Sequence, residues 1–179
     1  GQFYFRGKEY QLRRAESHAI HGDVRDRPWR LEQCEANKVD LSFRSADFND
    51  INFPFPFSCR LRYQIDHSAL FTSLQLRNDG DEAMPCGAGF HPYFRRSLTA
   101  SEEAEVRFGA AGWYPRSPLV PLPIGPLVAL PEVANFAEAR PLTTDFDDCF
   151  GGWNGTAAIC WPREKLSLQI EASARLRHL

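Results

Sequence analysis

The sequence predicts a mainly β protein, an antiparallel sandwich of many short strands, and three observations carry that expectation. The first is alternation in consecutive segments. Cys59-Arg60-Leu61-Arg62-Tyr63-Gln64-Ile65 alternates apolar and polar, Asp66-His67-Ser68 turns, and Leu70 to Arg77 returns with Leu70, Thr72, Leu74 and Leu76 on one face. Strand side chains point to opposite faces in turn, so this is an antiparallel meander with one wet face. The second is punctuation: six prolines between Pro115 and Pro131 argue for extended surface segments over a helix. The third is the lack of any long apolar pattern of period 3.6, which a packed amphipathic helix would need. No internal repeat or low-complexity tract interrupts the chain.

The elements come in order. Phe3-Tyr4-Phe5-Arg6 and Glu9-Tyr10-Gln11-Leu12 make a hairpin of short aromatic-rich strands, turning at Gly7-Lys8. The chain thus opens inside a sheet, and strands at both ends of the natural fold are expected to be missing from it. Val39-Asp40-Leu41-Ser42-Phe43 has the period of a half-buried strand. Phe53-Pro54-Phe55-Pro56-Phe57 is too proline-rich for a central strand and belongs on an edge or in a loop against the sheet, its rings serving a core. Asn78-Asp79-Gly80-Asp81 turns and delivers the chain into a strand ending at His91. Ser101-Glu102-Glu103-Ala104-Glu105 reads as a single helical turn. Thr156 to Trp161 and Leu166 to Glu171 are strands joined by a Pro-Arg-Glu-Lys turn.

Length and charge bound the function. A chain of 179 residues is expected to form a single domain over 1–179, burying roughly 70% of the surface its unfolded form exposes. A formal charge of −2 offers no electrostatic case for nucleic acid or an anionic membrane. No apolar run approaches the ~20 residues of a spanning helix and the opening residues lack a signal-peptide layout, so a soluble cytoplasmic protein is expected. Five cysteines without a C-x-x-C pair suit reduced thiols. Asn154-Gly155-Thr156 matches a glycosylation sequon and reads as a turn.

Chemistry concentrates in Cys86-Gly87-Ala88-Gly89-Phe90-His91-Pro92-Tyr93-Phe94-Arg95. Pro92 pushes His91 out of helical backbone, and the two glycines leave room for close approach. An imidazole titrates near neutrality, so His91 is a candidate proton donor or acceptor for a bound ligand. The alternative is a core of Phe90, Tyr93 and Phe94 with His91 hydrogen-bonded among them. His18, His21 and Asp23 have ligand chemistry, but residues three apart on extended chain face opposite ways, so no metal is assigned. Neither Cys86 nor Cys149 has an activating partner nearby in sequence, which sets aside a thiol nucleophile.

Gly89-Phe90-His91-Pro92-Tyr93-Phe94 resembles the catalytic-histidine signature of the aldose 1-epimerase (galactose mutarotase) family. His18-Ala19-Ile20-His21-Gly22-Asp23 through Trp29 resembles that family's His-Gly segment, and Asp145-Phe146-Asp147-Asp148-Cys149-Phe150 is similar to its aspartate motif before a strand. The motifs keep the family's order. The resemblance implies a large two-sheet β-sandwich with an open sugar cleft, no cofactor, and a monosaccharide substrate whose α and β anomers interconvert by ring opening. It implies His91 as the acid on the ring oxygen, His21 as a second imidazole beside it, and Asp147, rather than Asp148, as an acceptor for sugar hydroxyls. The family's general base is a Glu on a later strand and its sugar-binding Arg precedes the His-Gly segment; neither falls within this sequence. A chain lacking both ends is expected over a degenerate, non-catalytic sugar binder. Glu171 is expected to face solvent rather than act as the base. A hexose phosphate is a variant substrate, through Arg25, Arg27, Arg30, Arg95 and Arg96, although surface ion pairing is the better account of those charges.

Overall fold

The computed structural model describes residues 1–13, 21–99, 103–117, 120–142 and 146–179. The chain divides into two compact units, Gly1–Ala88 and Gly89–Leu179. Every strand pairing in both is antiparallel, and no α-helix occurs among the described residues.

The first unit opens with the predicted hairpin, β1 (Gln2–Phe5) on β2 (Lys8–Gln11). Its two-residue turn is Arg6-Gly7, one position earlier than the glycine-led turn expected from sequence. Arg6 (φ 51°) and Gly7 (φ 77°) are both left-handed, which a tight turn matching the strands' twist demands. The main sheet runs in chain order: β3 (Arg30–Cys34), β4 (Lys38–Arg44), β5 (Phe57–Asp66) and β6 (Ala69–Asn78). Register sets Phe43 opposite Cys59 and Cys59 opposite Leu76, so one face collects the apolar residues. At its base that face is buried: Phe43, Phe57 and Cys59 pack with Trp29, Phe48, Phe53, Leu74 and Leu76. Phe43 stacks on Phe57 at 5.6 Å and on Phe48 at 5.2 Å, geometry that adds to simple burial. Burial also pushes the Cys59 thiol up to about 11. Toward the hairpin tip the same face is bare, with the register partners Ile65 and Leu70 54% and 62% exposed. The Phe-Pro repeat is a loop against this core, as expected. Phe55 and Phe57 are buried, and the Ser45 hydroxyl accepts the Phe57 amide at 2.9 Å.

The expected strand into His91 does not form. Residues 83–95 pair with no strand of the described chain. Pro85 and Pro92 withhold ladder donors, and Gly87 and Gly89 carry no side chain to pack, so little in this stretch favours a ladder.

The second unit is built from shorter strands, several of them with distant partners. Its main sheet has the order β11-β7-β13-β14, from β7 (Glu105–Phe108), β11 (Arg140–Pro141), β13 (Thr156–Trp161) and β14 (Leu166–Glu171). The β13–β14 hairpin has the boundaries read from the sequence, and Glu171 is exposed as expected. Glu105 begins β7, which corrects the helical turn expected there; Ser101 and Glu102 lie outside the described residues. Two small ribbons complete the unit: β8 (Gly112–Tyr114) with β12 (Cys149–Gly151), and β9 (Arg116–Ser117) with β10 (Val120–Pro123) in the proline-rich stretch. Phe108, Phe136, Phe150 and Trp153 form the core, with Phe108 edge-on to Phe150 at 4.9 Å. Asn154 Oδ1 accepts the Thr156 amide and Gly155 takes φ 84°, so the sequon is a turn, as read from the sequence.

Candidate functional site

His91 sits early in the second unit on backbone outside any strand. Residues i and i+2 of extended chain share a side, and Pro92 stiffens the link between His91 and Tyr93. Their rings accordingly stack, with centroids 4.8 Å apart and planes 20° from parallel. Phe90, Tyr93 and Phe94 are exposed, Tyr93 by 87%, so the aromatic-core alternative for this segment does not hold. The segment is tied down at its end: the Trp161 indole donates to the Arg95 carbonyl at 3.2 Å and the Ala104 amide to the Arg96 carbonyl at 2.7 Å. A Cβ on Gly87 or Gly89 would meet nothing within 4 Å, so the backbone just before His91 has open space at these two positions.

His21 opens a tight bend in the first unit, with φ 64° at His21 and 66° at Gly22. Asp23 pins this bend in place. Its buried carboxylate accepts the Asn52 amide at 3.0 Å and the Phe53 amide at 2.6 Å, and pairs with Arg27 at 3.6 Å. Arg27 in turn meets Asp50 at 2.6 Å and lies 4.9 Å over the Phe48 ring. The Trp29 indole donates to the Val24 carbonyl. Asp23 is thus a structural clasp holding the His-Gly bend against the loop after β4. His18 of the His-x-x-His pair lies outside the described residues, and among those described no group of three or more His, Cys, Asp or Glu could hold a metal.

Asp147 and Asp148 precede β12, as the sequence suggested for the aspartate motif. Extended backbone turns them to opposite sides: Asp147 is 91% exposed and Asp148 8%. Arg116 bridges them, 3.7 Å from Asp147 and 3.1 Å from Asp148. Asp148 is the buried anchor, leaving Asp147 the acid that faces solvent. No feature of the local sequence pointed to Arg116, which comes from β9 across the β8–β12 ribbon. Cys149 is next in the chain, its thiol pushed up by burial, which makes it a poor nucleophile.

Of the arginines considered as phosphate ligands, Arg25, Arg27, Arg30 and Arg96 are engaged with acids. Arg25 contacts Asp26 at 3.5 Å, Arg30 contacts Glu32 at 3.4 Å, and Arg96 contacts Glu103 at 3.2 Å. Surface ion pairing is the use this structure supports for them.

Comparison with known sequences decides the lineage. The pattern of the aldose 1-epimerase family matches residues 1–178. The chain belongs to the aldose 1-epimerase family. This aldose 1-epimerase family chain is 28% identical over 178 residues to the uncharacterized protein YphB of Escherichia coli, covering 96% of this chain and 57% of YphB. It is 31% identical over 108 residues to the uncharacterized protein YihR of the same organism, 58% of this chain and 34% of YihR. LacX of Lactococcus lactis is 31% identical over 87 residues, 48% of this chain and 29% of LacX. The chain therefore spans little more than half of YphB and less of the others. A solved E. coli structure, provisionally assigned as an aldose 1-epimerase, superposes with a TM-score of 0.75 at 23% identity, covering 94% of this chain and 56% of that one. At that identity the likeness speaks for the fold, and it bears out the expected class, a mainly antiparallel β protein of the mutarotase-like sandwich kind.

Proposed function

We propose that this epimerase-family chain forms part of a mutarotase-like isomerase that interconverts the α and β anomers of a free aldose of the glucose or galactose type. Residues 1–179 belong, in this reading, to one mutarotase-like β-sandwich domain working in the cytoplasm without a cofactor. His91 protonates the ring oxygen as the hemiacetal opens, a base removes the anomeric hydroxyl proton, and reclosure after rotation about the first carbon–carbon bond gives the other anomer. Positioned acid and base groups each contribute ~10²–10⁴ in rate. His21 hydrogen-bonds beside the ring oxygen and Asp147 accepts sugar hydroxyls as a charged group. The base is a glutamate outside residues 1–179, in keeping with relatives of which this chain covers 57% or less.

The observation that carries the reading is the family match over residues 1–178 combined with the exposed His91 on its Phe-His-Pro-Tyr-Phe segment. Polarimetry of the natural full-length protein with fresh α-D-galactose and α-D-glucose tests it. The expected outcome is mutarotation well above buffer, falling about 10²-fold or more in His91→Ala while the sugar still binds. Sugar binding without any acceleration by the unaltered protein would instead make it a non-catalytic carbohydrate-binding member of the family.

A further inference from the structure

The β8–β12 ribbon carries a row of side chains that the proposed reaction leaves unused. Tyr114 stands opposite Cys149 and Gly112 opposite Gly151, and Gly151 is bridged on its other edge by His178. Directly opposed residues share a face and every second residue returns to it. Tyr114, Cys149, Gly151 and His178 therefore occupy one face, while Phe150 is buried on the other. The alternation extends to the acid pair: Asp148 falls on the Phe150 side, and Asp147, 91% exposed, on the side of Tyr114 and His178.

Gly151 makes the row possible. A Cβ there would lie 3.0 Å from the Tyr114 ring and 2.6 Å from Leu127, so its absence lets Tyr114 lean across the ribbon toward His178. The Tyr114 hydroxyl and His178 Nε2 are 3.4 Å apart, with ring centroids separated by 5.8 Å. That is long for a hydrogen bond from a hydroxyl, so the two groups are only weakly engaged with each other. A phenol offers one donor and two lone pairs, and an imidazole a nitrogen on either side of its ring. Such groups beside a carboxylate suit a ligand whose every substituent both donates and accepts, which is the chemistry of a polyol ring. Arg116 is balanced by Asp147 and Asp148, so the row offers little to a phosphate.

We propose that Tyr114 and His178 are specificity-determining residues that, in line with Asp147, read ring hydroxyls of the aldose away from the anomeric carbon. The inference rests on the proposed grip of Asp147 on sugar.

The test is equilibrium binding of D-glucose and D-galactose to the natural full-length protein and to Tyr114→Phe, His178→Ala and Asp147→Ala, with kcat and KM measured alongside. The expected result is that Tyr114→Phe and His178→Ala weaken one epimer about three- to tenfold more than the other, with kcat within about twofold and the thermal midpoint unchanged. Equal effects on both sugars with a lowered midpoint would reduce the pair to a packing role and overturn the proposal. So would an unchanged glucose-to-galactose preference in both variants. If Asp147→Ala alone weakens binding, the assignment of Asp147 stands and that of the pair falls. If the pair shifts the preference and Asp147→Ala does nothing, the pair stands and the role of Asp147 falls. Absence of binding by the unaltered protein overturns both.

Discussion

The main sheets of the two units are built on opposite plans. In the first, β3, β4, β5 and β6 lie in chain order, so every strand pairs with its neighbour in sequence. In the second, β7 finds its neighbours β11 and β13 far along the chain, and β8 pairs with β12 across the proline-rich stretch. The first sheet is specified by patterns that a reader meets consecutively, while the second is specified by which distant segments can close over Phe136. The first plan leaves a bare tip, at Ile65 and Leu70; the second leaves Leu166 exposed at its β13–β14 turn, opposite the buried Trp161.

The largest expected effect separates the two cores. Phe43 and Phe136, each 2% exposed, anchor one unit apiece, and either change to Ala should cost about 3–5 kcal/mol. Hydrogen exchange should show Phe43→Ala loosening the amides of β3 to β6 and Phe136→Ala those of β7, β11 and β13. Equal loosening throughout both units in either variant would make them one cooperative block and break the comparison.

A middling effect probes the close approach that stitches the second unit. A Cβ on Gly112 would fall 2.3 Å from the Val128 carbonyl oxygen, so Gly112→Ala should destabilise by about 1–3 kcal/mol in urea unfolding. A midpoint that does not move would show that residues 127–128 give way easily.

The smallest effect belongs to the first sheet. Hydrogen bonds from Arg62 hold the Asp40 carboxyl below its ordinary value of 3.8. A carboxyl depressed on folding contributes stability that is complete above its unfolded value and fades as pH falls through the folded one. Acid should therefore weaken the protein slightly through this pair, and Asp40→Asn should remove that share of the slope. The ion pair is at the surface and screened, so urea midpoints compared at low and high salt should converge.

Legibility in the sequence divides along the same line. The β5–β6 and β13–β14 hairpins were legible because each strand's alternation and turn lie within one short window. The Arg6-Gly7 turn was misplaced by one residue because its left-handed arginine has no sequence mark. The strand expected to end at His91 failed because an apolar, aromatic run resembles a strand even when two prolines and two glycines deny it a partner. Strands β7, β8 and β11 went unread: two to four residues long, they owe their conformation to partners that no local pattern reveals. Of the site, motif order nominated His21, His91 and Asp147, whereas the contacts of Arg116 with Asp147 and Asp148, and the clasp made by Asp23 on amides of residues 52 and 53, join distant segments that no local pattern marks.

The left-handed backbone at His21 places a second demand on that position, separate from any imidazole chemistry. Gly and Asn adopt this conformation readily, whereas Val and Ile resist it. A descendant that gave up proton transfer could keep its loop by drifting to Asn or Gly there, while a branched aliphatic would unmake the bend itself. The amino acid found at the equivalent place in a relative thus separates two histories, loss of reactivity alone and loss of the surrounding shape.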